Sequence, residues 1–182
     1  ANQQYFKIEF VGANPFVEIK VEDYNINSQL IGSYNFTNCA AAIVMGKYFN
    51  IPTKDIKSAI EGYLPENNRS QIIKKNGHHI ILDAYNANPT SMKAALENFK
   101  TMDDKNKIAF LGDMFELGGT AAIEHHSIAI LADQMGFLDV FLIGENFSAV
   151  STSLKTFESF EAIADHLKNH PLEEKGHLLI KG

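Results

Sequence analysis

Four short, continuously apolar segments in the second half of the chain constrain its fold most. They are HIILD, KIAFLGD, DVFLIG and HLLIK, and helical stretches separate them. Strands without polar alternation are typical of parallel sheets that are covered on both faces. Strands that alternate with helices of this length predict βαβ units. We therefore predict that residues from about 70 to 182 form a small, doubly wound, mostly parallel α/β domain.

Each helical stretch between these segments carries one apolar stripe with the spacing of a single helix face. The three stripes are Met92, Ala95, Leu96 and Phe99; Ile128, Leu131, Ala132 and Met135; and Phe160, Ile163, Ala164 and Leu167. We expect all three stripes to pack against the sheet.

The first part of the chain follows a different pattern. The segments QYFKIEF and PFVEIKVE alternate apolar and polar residues and predict two strands of a half-solvated sheet. Two helices should follow, with Ala41, Ala42, Met45 and Phe49 on one face of the first and Ile56, Ala59, Ile60 and Tyr63 on one face of the second. The polar segment PENNRS is the expected domain boundary, and both chain ends have the pattern of a longer protein that has been cut.

Composition limits the classes of partner. The net charge of −6 and the pI of about 5.6 argue against nucleic acid or an anionic membrane as the main partner. The single cysteine, Cys39, excludes an intrachain disulfide, fits a reducing cytoplasm and is expected to be packed inside a helix. The chain has no H-E-x-x-H motif and no cysteine cluster, so no metal site is predicted.

Polar residues follow each apolar segment at the edge where ligands bind in open parallel sheets. These residues form either a ligand-binding rim or ordinary polar strand ends. Asn88 can cap a helix that begins at Pro89, but capping leaves Asp83, Tyr85 and Asn86 unexplained. A carboxylate at the position of Asp83 can hold a ribose or form a turn, and both interpretations stay open.

The segment LGDMFELGG places Asp113 and Glu116 between glycines after the second apolar segment. A metal or ammonium partner and a solvated loop are both compatible with this pattern. Neither G-x-x-x-x-G-K-[ST] nor G-x-G-x-x-G occurs, so nothing in the chain would bind a triphosphate tightly by itself.

Five motifs together resemble the Mur ligase family. They are IGSYNFTNCAAAI, NNRSQ, DAYNANPTSM, LGDMFELG with a downstream histidine, and the terminal LLIKG, and they occur in the family's order. The resemblance implies that residues 1–66 are the C-terminal part of a central ATPase domain. It also implies that residues 67–182 are a Rossmann-like C-terminal domain, truncated at its end, and that the phosphate loop and the Mg2+ ligands lie upstream.

The resemblance further implies a reaction. The family branch with these motifs uses ATP and Mg2+ to add D-Ala-D-Ala to UDP-MurNAc-tripeptide through an acyl phosphate, in the cytoplasmic synthesis of peptidoglycan precursors. The chain alone should then be inactive. The alternative is a free-standing α/β module that binds a nucleotide or a protein partner.

Site residues are carried over by motif position. Asn35 and Asn38 match residues near the adenine, with Tyr34 in place of a more usual histidine. Arg69 matches a catalytic arginine that reaches the ATP phosphates. Asp83 matches the ribose ligand, while Ala84 departs from a frequent second aspartate. The remaining assignments are Tyr85, Asn86 and Asn88 on the nucleotide side, and Asp113, Met114, Glu116 and His125 on the dipeptide side or at a closed-state interface.

Overall fold

The computed structural model describes residues 6–66, 68–103 and 105–182. The chain divides into two compact units, Ala1–Pro65 and Glu66–Gly182. The sequence-based division lies between residues 66 and 67, and the assignment of the first unit to a central ATPase domain stays a prediction. Among the residues described, no helix has the length and apolar character needed to cross a membrane.

The first unit is a three-stranded antiparallel sheet with two helices. Its elements are β1 (Ile8–Ala13), β2 (Phe16–Val21), β3 (Tyr24–Ile31), α1 (Phe36–Tyr48) and α2 (Thr53–Gly62), and the strand order is β1-β2-β3. Val17, Ile19 and Val21 are fully buried, as the alternation in β2 predicts. Strand β3 was not predicted. Its polar residues Asn25, Asn27 and Gln29 leave too few apolar residues around the buried Ile26 for a recognisable strand pattern.

The apolar face predicted for α1 does not face the core, and the one predicted for α2 does so only in part. Ala41, Ala42, Met45 and Phe49 are exposed, while Cys39 and Ile43 face the core instead. Apolar residues occur all round α1, so spacing alone does not select the buried face. On α2, Ile56 is buried and Ile60 packs on the same core, whereas Ala59 is exposed. Tyr63 is also exposed, because it lies beyond the helix end at Gly62.

The second unit contains a six-stranded sheet and four helices. Its elements are β4 (Gln71–Lys75), β5 (His78–Asp83), α3 (Pro89–Thr101), β6 (Lys107–Gly112), α4 (Ala121–Gln134), β7 (Asp139–Ile143), α5 (Glu145–Ser148), β8 (Lys155–Phe157), α6 (Phe160–Asn169) and β9 (His177–Lys181). The order is β4-β5-β9-β6-β7-β8, and only the edge strand β4 is antiparallel. The predicted doubly wound, mostly parallel sheet is confirmed.

The four strands predicted from the sequence are the four central strands, β5, β9, β6 and β7. The two strands that were missed, β4 and β8, lie at the edges. Edge strands have one unpaired side and need fewer apolar residues, so they lack the continuous apolar pattern. Strand β9 comes last in the chain but lies between β5 and β6.

The helix stripes of the second unit pack largely as predicted. All four stripe residues of α3 are buried, and the α4 stripe is buried or half-buried. In α6, Ile163 is buried and Leu167 packs beside it, but Phe160 is 74% exposed. Phe160 is the first helical residue after Ser159, whose hydroxyl caps the helix by accepting from Ala162 N–H at 3.2 Å. Phe160 therefore lies at the N-terminus of α6, where its side chain is exposed to solvent.

We expect the Cys39 thiol to be unreactive in the folded protein. It is 3% exposed, and burial raises its pKa, although a hydrogen bond with Ser28 opposes that shift. Because the thiolate is the reactive form, alkylation by iodoacetamide at pH 8 should be at least about tenfold slower than in urea-unfolded chain. Mass spectrometry of the adduct over time measures both rates. Equal rates would show that Cys39 is accessible and that the packing of α1 is different.

Candidate functional site

The carboxyl ends of the parallel strands bring the predicted site residues of the second unit to one edge of the sheet. Strand β5 ends at Asp83, β9 at Lys181, β6 at Gly112 and β7 at Ile143. Asp83 pairs in register with Lys181, and Lys181 pairs with Leu111 on its other side. The loops that follow these strands are therefore neighbours at the edge where ligands bind in open parallel sheets.

Asp83 is held by three groups of the protein itself. Its Oδ1 accepts from the Ser70 N–H at 3.2 Å and lies 3.5 Å from the Ser70 hydroxyl. Its Oδ2 lies 3.1 Å from the ammonium of Lys181, and 17% of the Asp83 side chain is exposed. The turn interpretation and the ribose interpretation therefore do not exclude each other, since each carboxylate oxygen has two lone pairs. The ribose contact stays a prediction.

Lys181 is a site residue to which the sequence assigned no role. It is 2% exposed, and its ammonium donates to the carbonyl oxygens of Asn86 at 2.8 Å and Asp83 at 3.3 Å, in addition to its ion pair with the Asp83 carboxylate. A lysine that ends an apolar central strand was the available signal, because such a residue must find a partner inside the fold.

Tyr85, Asn86 and Asn88 follow Asp83 and are all exposed. Asn88 caps α3: its side chain accepts from the Ser91 N–H at 2.8 Å, and its own N–H donates to the Ser91 hydroxyl at 3.1 Å. The predicted cap, with Pro89 at the first helical position, is confirmed. The Asn86 side chain makes no hydrogen bond within the described part of the chain, so its amide is available to a ligand.

Arg69 lies in a turn beside the end of β5. Its guanidinium carbon is 3.7 Å from the centroid of the Tyr85 ring, which is a close cation–π contact. The preceding residue, Asn68, accepts the Ala84 N–H at 2.9 Å and so joins the turn to the same loop. Within residues 6–66, 68–103 and 105–182, no carboxylate lies within ion-pair distance of Arg69. The structure thus brings Arg69, Asp83, Tyr85 and Asn86 together.

Asp113, which directly follows β6, is turned into the protein. Its carboxylate accepts from the backbone N–H groups of Asn146 at 2.9 Å and Phe147 at 3.0 Å, and from the Asn146 amide at 3.0 Å. It thereby satisfies the first turn of α5. Gly144 has a φ of +126°, and a side chain at that position would collide with the Asp113 carboxylate. Asp113 is therefore structural in its observed contacts.

Met114 and His125 lie beside Asp113 and are also buried. The His125 Nδ1–H donates to the Ala121 carbonyl at 2.7 Å, and Nε2 accepts from the Met114 N–H at 3.0 Å. A carbonyl can only accept and a backbone N–H can only donate, so the ring is the neutral tautomer with its proton on Nδ1. The 3.5 Å approach of Nε2 to Asp113 is consequently not an ion pair.

Only Glu116 among the four predicted dipeptide-side residues is exposed. It has a φ of +63°, in the left-handed region, and its neighbour Phe115 is 71% exposed. Asp113, Met114 and His125 are buried and make contacts inside the protein beside this loop. Their direct contact with a dipeptide stays a prediction, and their burial does not favour it. The exposure of Phe115 was not predicted, because an exposed phenylalanine cannot be told from a buried one by its identity.

Asn35 and Asn38 belong to the first unit. Asn35 is buried, and its amide donates to the Ile31 carbonyl at 2.7 Å. The Asn38 amide donates to the Asn35 side-chain oxygen at 2.9 Å, and Asn38 itself is exposed. This pair fixes the start of α1, and its proximity to an adenine stays a prediction.

Comparison with known proteins agrees with this architecture. The family model described as "Mur ligase, glutamate ligase domain" matches residues 68–182. The chain belongs to the Mur ligase family. It is 35% identical over 132 residues to the UDP-N-acetylmuramoyl-tripeptide–D-alanyl-D-alanine ligase of Bacillus subtilis, an alignment that covers 71% of this chain and 29% of that enzyme. The chain spans between 26% and 39% of the length of the curated relatives it matches first.

Solved structures give the same relation. A UDP-N-acetylmuramoylalanyl-D-glutamyl-2,6-diaminopimelate–D-alanyl-D-alanyl ligase from Acinetobacter baumannii superimposes with a TM-score of 0.81 at 25% identity, covering 97% of this chain and 40% of that one. MurF from Thermotoga maritima, solved in complex with ADP, superimposes with a TM-score of 0.77 at 17% identity, with coverages of 97% and 42%. The second likeness concerns the fold alone.

Replacing Asp113 by alanine should destabilise the second unit. Each buried N–H left without its acceptor costs about 1–3 kcal/mol, so the total loss should be at least about 2 kcal/mol. Urea unfolding followed by circular dichroism measures the change. The matched control is Asp133→Ala on the exposed side of α4, which should change stability by no more than about 0.5 kcal/mol. A loss below about 1 kcal/mol for Asp113→Ala would contradict the capping role.

Proposed function

We propose that this chain contributes the C-terminal part of an ATP-dependent ligase that joins D-Ala-D-Ala to UDP-MurNAc-tripeptide. The observation that carries the proposal is the Arg69 guanidinium at the carboxyl edge of the sheet, which has no carboxylate partner among the described residues, in a chain of the Mur ligase family. The relatives that bear this activity in their names support the choice of substrates.

The residues around Arg69 suit a nucleotide phosphate. A guanidinium presents its N–H donors in the plane of the group, which matches the geometry of phosphate oxygens. Arg69 and Lys181 carry two positive charges against the single charge of Asp83, so this cluster is left with a net charge of +1. The exposed Asn86 amide and Tyr85 ring add a polar group and an apolar surface beside it.

In the proposed reaction, the terminal carboxylate of the tripeptide takes the γ-phosphoryl group of ATP and ADP leaves. The amine of D-Ala-D-Ala then attacks the acyl carbon, and phosphate and a proton are released as the amide forms. Arg69 would stabilise negative charge on phosphate oxygens. Asp83 would hold the ribose with its remaining lone pairs, and Glu116 would lie on the dipeptide side. The proposal places the reaction in the cytoplasm, where Cys39 stays reduced.

Mg2+ has no assigned ligands in this chain. Among the residues that the structure describes, no group of three or more His, Cys, Asp or Glu side chains converges to hold a metal ion. No step is therefore attributed to a metal held by these residues, and the expectation of Mg2+ ligands upstream stays a prediction.

The proposal is tested with the complete product of the gene that encodes this chain. That protein should release phosphate from ATP only when UDP-MurNAc-tripeptide and D-Ala-D-Ala are both present, and L-Ala-L-Ala should not replace the dipeptide. The 182-residue chain alone should show no turnover. Nucleotide binding without ligation by the complete product would favour the alternative of a binding module and refute the proposal.

Within the active protein, Arg69→Ala should lower kcat/KM for ATP by about tenfold or more, since a hydrogen bond to a charged group is worth roughly 1.5–3 kcal/mol. Arg69→Lys should recover only part of this loss, because an ammonium cannot present a planar pair of donors. Lys168→Ala, which removes an exposed cation from α6, is the matched control and should leave the rate unchanged. Normal ATP kinetics for Arg69→Ala would refute the role given to Arg69.

A further inference from the structure

The turn that carries Arg69 is conformationally unusual. Asn68 has a φ of +60° and Ser70 a φ of +52°, both in the left-handed region. Neither residue is glycine, so each conformation costs energy and persists only where surrounding contacts hold it. Backbone hydrogen bonds from Ala84 to Asn68 and from Ser70 to the Asp83 carboxylate supply two of these contacts. The turn is therefore docked on the loop that follows β5.

The third contact is the stacking of Arg69 on Tyr85. A separation of 3.7 Å between the guanidinium carbon and the ring centroid means that the two lie face to face or nearly so. Stacking engages the face of the guanidinium and leaves the N–H donors on its edge available. Tyr85 thus restricts the side chain of Arg69 without consuming the groups that a phosphate would need.

Lys181 fixes the loop to which this turn is docked. Its buried ammonium contacts the Asp83 carboxylate, the Asp83 carbonyl and the Asn86 carbonyl, which lie on both sides of Tyr85. At 2% exposure Lys181 has almost no surface to offer a ligand. Its contacts instead orient Asp83, which in turn holds Ser70 beside Arg69.

We infer that Tyr85 and Lys181 are positioning residues that hold the Arg69 guanidinium in the orientation needed for a phosphate. The two act at different points: Tyr85 restricts the side chain, and Lys181 fixes the backbone turn through Asp83. The inference rests on the proposed function for the identity of the phosphate, but the positioning itself is a property of this chain and can be measured without a nucleotide.

The chain offers a direct spectroscopic signal, because Arg69 is its only arginine. A single Nε–Hε resonance in the 1H–15N spectrum therefore reports this side chain without further assignment. Stacked over Tyr85, the proton should be shifted upfield by the ring current. Tyr85→Leu should remove the shift, and Tyr85→Phe should restore it, since phenylalanine keeps the ring. Tyr48→Leu, which removes an exposed tyrosine from α1, is the control and should leave the signal in place.

Lys181→Met should also reduce the upfield shift, because Asp83 loses the partner that orients it. A lone buried carboxylate can unfold a protein, so the double variant Asp83→Asn with Lys181→Met provides a second test in which no unpaired charge remains. Lys107→Met removes another buried lysine, whose ammonium donates to the Lys100 carbonyl, and should not change the Arg69 signal.

The complete gene product supplies the functional measurement. Tyr85→Leu should raise KM for ATP by about threefold to tenfold, which corresponds to the loss of a partly exposed cation–π contact, and Tyr85→Phe should recover most of the affinity. An Arg69 shift that survives both Tyr85→Leu and the Lys181 variants would overturn the inference, whatever the enzyme's activity. If the shifts change as expected while Arg69→Ala still uses ATP normally, the proposed function of Arg69 fails and the positioning geometry stands.

Discussion

A buried lysine ammonium holds in place the loop that follows β5 in the candidate site. Lys181 lies at the end of the central strand β9, and its Nζ is 3.1 Å from the carboxylate of Asp83 on the adjacent strand. Burying either charge alone would cost several kcal/mol, so the pair is stable only because each compensates the other and carbonyl oxygens complete the ammonium's hydrogen bonds. The geometry of Ser70, Arg69 and Asn86 follows from this arrangement, since each contacts one of the two charged residues or the loop between them.

The two polar clusters at this edge of the sheet differ in kind. Around Asp83, several groups retain donors or surface that face no protein partner within the described residues. Around Asp113, the carboxylate, the imidazole of His125 and the N-terminus of α5 satisfy one another inside the protein. Both clusters have an aspartate at or just after the end of a strand. The Asp83 cluster is accessible to a ligand, whereas the Asp113 cluster is buried and has a structural role.

The sequence predicts the centre of the second unit well and its edges poorly. Continuous apolar segments identify β5, β6, β7 and β9 because both faces of a central strand are covered, whereas β4 and β8 lack that requirement. The apolar face predicted for α1 is exposed, because apolar residues surround that helix and their spacing alone does not select the buried side. The inward orientation of Asp113 depends on Asn146 and Phe147, more than thirty positions later, and no local pattern encodes such a partner. Asp83, Tyr85 and Asn86 could be identified as candidate site residues from the sequence, because helix capping explains Asn88 but none of these three.

The position of β9 also bears on the order in which the second unit can fold. Its neighbours β5 and β6 are formed by residues 78–83 and 107–112, whereas β9 is formed by residues 177–181. During synthesis, β4 with β5 and β6 with β7 and β8 can pair as separate sheets. The backbone N–H and C=O groups on one edge of β5 and of β6 stay unpaired until β9 joins them. Contacts of such long sequence separation are slow to form. The strand that completes the sheet is also the strand that delivers Lys181, so a chain in which the Arg69 turn is anchored is one in which the whole sheet has already closed.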